Sequence, residues 1–145
     1  MANTSKIKEI RDEMIKIYGN NCWMGYRLTK NNPFTFHHIF EQRVGGKDLI
    51  ENGALLTKFA HRDLNTMDLH VKPLYKDLNI LFKELNNTKK APTIDYYKEV
   101  NKILVRASKS PKCRGLMLSL WPCRLAAPAA SARRTLALPS MITLL

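Results

Sequence analysis

The sequence predicts an α+β fold, a small ββα unit wrapped by about three outer helices. Three observations carry this expectation. "SKIKEIRDEMIKIYGNN", "PLYKDLNILFKELNN" and "TIDYYKEVNKILVRAS" repeat apolar residues at helical spacing. "CWMGYRL" and "PFTFHHIF" are short and rich in aromatic and β-branched residues. "KFAHRDLNTMDLH" follows them as a further helix, with His61 and Asn65 four apart on one face.

Taken in order, the first helix places Ile7, Ile10, Met14 and Ile17 on one stripe, with Ser5 to cap it and Gly19-Asn20 to stop it. "CWMGYRL" and "PFTFHHIF" read as a hairpin, joined by the turn "TKNNP". "EQRVGGKDLIENG" is a loop whose two glycines permit unusual backbone angles, and "ALLT" is a second short strand or a bend. After the His61 helix, Pro73 opens a helix with Leu74, Leu78, Leu81, Phe82 and Leu85 as its apolar stripe. Thr93 caps the last, whose core face is Ile94, Tyr97, Val100, Ile103 and Leu104.

The chain has 145 residues, enough for one small domain, with 24 Lys and Arg against 12 Asp and Glu, a net charge of +12. Its composition changes near Ser110. Residues 111–145 hold five of the basic residues and none of the acidic ones, so the first 110 keep a net charge of +7. That excess favours a polyanionic partner. The expected domain is therefore 1–110, with an active unit over about 22–70. The 111–145 tail, interrupted by Pro111, Pro122, Pro128 and Pro139, reads as a foreign, frameshifted or fused extension with little structure. The competing reading is a natural tail that packs on the body or on a partner.

Three cysteines, Cys22, Cys113 and Cys123, and no signal-peptide pattern at the N-terminus give the expectation of a reducing, cytoplasmic compartment. No uncharged apolar run is long enough to span a bilayer, so no membrane association is expected.

The chemistry concentrates between Phe34 and Asn65, where His37-His38-Ile39, Gly45-Gly46, Asn52, Leu55-Leu56 and His61 follow one another. Adjacent strand residues point to opposite faces, so one packing role does not explain both His37 and His38. Phosphodiester hydrolysis needs a base for water and a positive charge for the developing oxyanion, and imidazoles can supply the base and hold a metal.

In this order and spacing, Cys22–Asn65 resembles the HNH (ββα-metal) endonuclease family, in its phage and restriction-type branch. The resemblance covers about a third of the chain. It implies His38 as general base, His37 and His61 as metal ligands, and Asn52 as the asparagine that ties the loop and orients the base. Asn65, one turn past His61, is a weaker candidate for the metal or a phosphate. Arg43, Gly45, Gly46, Lys47, Lys58 and Arg62 flank these residues and are expected to meet the DNA backbone.

The resemblance also implies one divalent ion, Mg²⁺ first, with Mn²⁺, Ni²⁺ or Zn²⁺ as alternatives, and products with 5′-phosphate and 3′-hydroxyl ends. Many relatives carry a structural zinc on two Cys-x-x-Cys pairs. Here Cys22 is followed by Gly25, and Thr57 and Ala60 occupy the second pair's positions, so no Cys₄ zinc can form. Apolar packing, with Trp23 and Phe59 as candidates, would replace it. The expected function is metal-dependent DNA cleavage, with weak sequence specificity or specificity supplied by a partner, and with a homodimer as a further possibility. The rival is an inactive module that binds DNA or protein, or an inhibitor.

Overall fold

The computed structural model describes residues 4–116. They form a small α+β protein of four helices and one two-stranded antiparallel sheet, in the order α1 (Thr4–Tyr18), β1 (Phe34–His38), β2 (Gly53–Thr57), α2 (Lys58–His70), α3 (Lys72–Thr88) and α4 (Ile94–Ser108). Short 3-10 turns at Gln42–Val44 and Ile50–Asn52 punctuate the loop between the strands.

The four helices stand where the apolar stripes place them, with differences at their ends. Ser5 lies inside the first turn of α1 rather than before it. Gly19 does stop that helix, at φ +82°, its N–H returning to the Ile15 carbonyl. Thr93 caps α4 by accepting from the Tyr96 N–H at 3.1 Å. Ile94, expected in the core, is 64% exposed, while Tyr97, Val100, Ile103 and Leu104 are buried. As the first residue after the cap, Ile94 precedes the turn on which the buried face is established.

The expected hairpin is corrected. Residues 22–28 form no strand, and β1 pairs with β2, from Phe34 opposite Thr57 to His38 opposite Gly53. Cys22–Tyr26 are five consecutive buried residues, without the alternation of a half-buried strand. Gly25, at φ +84°, turns the segment back so that its N–H reaches the Cys22 carbonyl at 2.9 Å. β2 is buried at every position because α2 and α1 cover it, which accounts for its uninterrupted apolar run.

Trp23 anchors the centre. It is fully buried, edge-on to Tyr18 with ring centroids 4.9 Å apart, and tilted against Phe82. Its backbone N–H donates to the Leu55 carbonyl, and the Tyr96 and Tyr97 hydroxyls of α4 donate to the Trp23 and Cys22 carbonyls at 2.7 and 2.8 Å. Phe59 contributes only from the edge of the core.

Cys22 and Thr57 join the turn before β1 to the end of β2. The Thr57 N–H donates to Cys22 Sγ at 3.5 Å, and Thr57 Oγ1 caps α2 by accepting from the Ala60 N–H. Cys22 is a buried thiol, its pKa raised by that burial.

The packed body runs past the compositional break at Ser110. Pro111–Cys113 form a 3-10 turn against α2 and α4, Cys113 is fully buried, and Leu116 packs at the edge of the core. The rest of the compositionally distinct segment, 117–145, lies outside the described residues. Among the described residues no helix is long and apolar enough to cross a membrane.

Candidate active site

The last two residues of β1, the first turns of α2 and the loop after β1 meet at an open cleft of about 270 Å³. His37, His38, Glu41, Arg43, His61 and Asn65 are among the residues that line it. Strand alternation sends Thr35 and His37 toward α2, where the His37 and His61 rings stand edge to face at 5.4 Å between centroids. His38, on the other face, stands edge-on to Phe36 at 4.9 Å. Because β1 ends there, His38 still reaches the cleft.

Hydrogen-bond partners fix the tautomer of each imidazole. Thr35 has one hydroxyl hydrogen, which it donates to the Leu56 carbonyl at 2.9 Å. At His61, 2.9 Å away, Thr35 Oγ1 must therefore accept, so His61 carries its proton on Nδ1 and leaves the Nε2 lone pair free. Asn79 donates its amide to the Tyr75 carbonyl, which turns Oδ1 toward His37 Nε2 at 2.8 Å. His37 is thus protonated on Nε2, with the Nδ1 lone pair free. Asp48 Oδ1 accepts from His38 Nε2 at 2.7 Å, which leaves Nδ1 of that ring free.

Burial keeps the two facing rings neutral. It pushes the His37 pKa down to about 4, against a smaller opposing effect of the Asn79 hydrogen bond, and lowers that of His61. Neutral imidazole with a free lone pair is the form that ligates metals. Among the described residues no group of three or more His, Cys, Asp and Glu side chains is placed to hold a metal. The nitrogen donors that face each other across the cleft are the His37 and His61 imidazoles.

This sets a pH dependence. Between about pH 6.5 and 4 the unfolded chain protonates His37 while the folded protein resists it, so the unfolded state binds more protons and stability falls as pH drops. The loss from His37 alone approaches about 3 kcal/mol. Urea unfolding should show a lower midpoint at pH 4.5 than at pH 7, and His37→Gln should remove part of that difference. An identical difference in both proteins would contradict it.

Asn52 ties the loop between the strands. Its Oδ1 accepts from the Phe40 N–H at 2.7 Å, and its amide donates to the Phe40 and Lys47 carbonyls, each at 3.0 Å. Gly46 is required by the same closure, since a Cβ there would lie 1.7 Å from the Phe40 carbonyl oxygen. Its bareness serves the loop's own backbone. Gly45, at φ +102°, has open space where a Cβ would stand.

The flanking cations differ from one another. Arg43 lines the cleft but is paired with Glu41, and Asp68, which also lines it, is paired with Lys72. Arg62 bonds to Asp63 at 3.5 Å and lies over the Phe59 ring. Lys47 and Lys58 are exposed and outside the cleft lining, and Asn65 lies within it.

Sequence reasoning missed Thr35, Asp48 and Asn79, the three residues that set the imidazole tautomers. For Asn79 a signal existed. Tyr75, Asn79, Phe82 and Asn86 form a second stripe on α3, spaced 4, 3 and 4, and Asn86 holds the Ile50 and Gly53 carbonyls at 2.7 and 2.8 Å. No family model, curated protein or solved structure matches the chain.

Proposed function

We propose that this protein is a metal-dependent DNA endonuclease whose active unit, β1, β2 and α2, is of the HNH (ββα-metal) kind. One observation carries the reading: three imidazoles from a strand and a helix converge on one cleft with tautomers fixed so that each has a free lone pair. His37 Nδ1 and His61 Nε2 suit a divalent cation, and the donor set of two neutral nitrogens plus oxygen fits Mg²⁺ less tightly than Mn²⁺, Ni²⁺ or Zn²⁺. When bound, such an ion supplies positive charge to a phosphodiester oxygen and to the leaving oxygen.

His38 takes the proton of the attacking water on Nδ1. Asn52 holds the loop that flanks it. The net positive charge supports a nucleic-acid substrate, with exposed Lys47 and Lys58 as backbone contacts. Specificity would come from a partner or a second copy.

The test is supercoiled plasmid with Mg²⁺, Mn²⁺, Ni²⁺ or EDTA. Nicked or linear product with metal and none with EDTA is expected. No product with any of the three metals overturns the reading.

The ion pairs of Arg43 with Glu41 and Lys72 with Asp68 favour a second reading, an HNH-like binding module or inhibitor that does not cleave. Both pairs commit cations that would otherwise meet phosphate at the cleft mouth. Divalent-metal binding with no cleavage would select it.

A further inference from the structure

We infer that Asp48 is the positioning residue of the His38 base, holding the imidazole by its Nε2–H so that Nδ1 faces the water to be deprotonated. This rests on the nuclease reading and adds a residue to it.

The geometry is specific. Asp48 Oδ1 lies 2.7 Å from His38 Nε2, and both side chains are about 15% exposed, which shields the pair from solvent competition. An ionised carboxylate only accepts, so this contact requires the proton on Nε2. Without it either ring nitrogen could carry the proton, and the tautomer protonated on Nδ1 has no lone pair for the water. The carboxylate also stabilises the imidazolium formed when His38 takes a proton. That matters here because a cation between His37 and His61 would oppose the same charge. The arrangement follows the logic of the serine-protease triad, where the carboxylate orients its histidine and selects the tautomer.

The loop is built to present Asp48. Asn52 donates to the carbonyl of Lys47, the residue before Asp48, and grips both polar groups of Phe40, two residues after His38. One asparagine therefore clamps the two backbone segments that carry the pair. Gly46 lets the intervening turn close on the Phe40 carbonyl. Asn52 acts on the base through Asp48, without touching the imidazole.

The experiment compares the wild-type protein with Asp48→Asn and Asp48→Glu. Cleavage of supercoiled plasmid is measured as separate kcat and KM, Mn²⁺ affinity by calorimetry, and the His38 tautomer by ¹⁵N NMR of the imidazole. In the wild type the ¹⁵N shifts should show the proton on Nε2. Asp48→Asn should lower kcat at least about tenfold, toward the ~10⁴-fold seen when a triad carboxylate is replaced. KM and Mn²⁺ affinity should hold, and His38 should become a mixture of tautomers. Asp48→Glu, which keeps the carboxylate, should recover part of kcat.

Unchanged kcat in Asp48→Asn overturns the inference, as does a wild-type His38 protonated on Nδ1. Equal losses of kcat and of Mn²⁺ affinity would also overturn it, since the residue would then be structural. If the wild-type protein gives no product with Mg²⁺, Mn²⁺ or Ni²⁺, the nuclease reading falls, and the inferred role of Asp48 in catalysis falls with it. The tautomer measurement then still shows, separately, whether Asp48 sets the His38 ring.

Discussion

His38→Ala should lose cleavage by ~10²–10⁴-fold, the usual contribution of a positioned general base. That corresponds to about 3–5 kcal/mol on the barrier, near total loss in a plasmid-nicking gel. Metal affinity should stay within about twofold of the parent, because His38 lies on the opposite face of β1 from the His37–His61 pair. This split identifies a base, since a ligand would lose both properties together. The variant also removes the edge-on contact with Phe36 and the partner of Asp48, so some loss of stability is expected, of the order of 1–3 kcal/mol. Thermal unfolding of the same preparation separates misfolding from lost chemistry. His38→Gln keeps a polar side chain of similar reach and should be nearly as inactive. If either variant nicks plasmid as fast as the parent, His38 is not the base.

The sequence made the helices legible because each buries one long stripe. Met14, Leu78, Phe82, Val100 and Leu104 are all fully buried at the positions their spacing indicates. The strand pairing was harder to see. β2 is covered on both faces, so its apolar run has no alternation, and at five residues it is too short for a period to declare itself. Cys22–Tyr26 have strand-like composition but are buried as a turn around Gly25, held by carbonyl bonds from Tyr96 and Tyr97 some seventy residues away. No local pattern encodes such a contact.

At the candidate site, the three histidines and Asn52 stood out through their order along the chain, and the fold brings them to one cleft and its flanking loop. The residues that decide which nitrogen is free did not. Thr35 and Asp48 look like an ordinary strand threonine and an ordinary loop aspartate until β1, β2 and the loop between them are in place. The flanking cations were legible as charges but not as partners. That Arg43 faces Glu41 and Arg62 faces Asp63 depends on side-chain direction.

His61→Ala should weaken divalent-metal binding by more than ~10²-fold and reduce cleavage with it. Loss of an outer hydrogen-bond partner alone costs 10–100-fold, and loss of a ligand exceeds that. On the proposed two-imidazole site, removing His61 leaves a single imidazole, too weak to hold an ion against water at micromolar concentrations. Titration with Mn²⁺ or Ni²⁺ by calorimetry measures the effect directly. Cleavage should return in part at millimolar metal, because the base at His38 remains. Thr35→Val gives the finer result. It keeps the shape of the side chain but removes the hydroxyl that accepts from His61 Nδ1–H, so the ring is free to change tautomer and metal affinity should fall about 10–100-fold. The order parent, Thr35→Val, His61→Ala should hold for metal affinity and for cleavage at limiting metal. Parent-like Mn²⁺ affinity in His61→Ala would place the ion elsewhere and remove the basis for a shared site between β1 and α2.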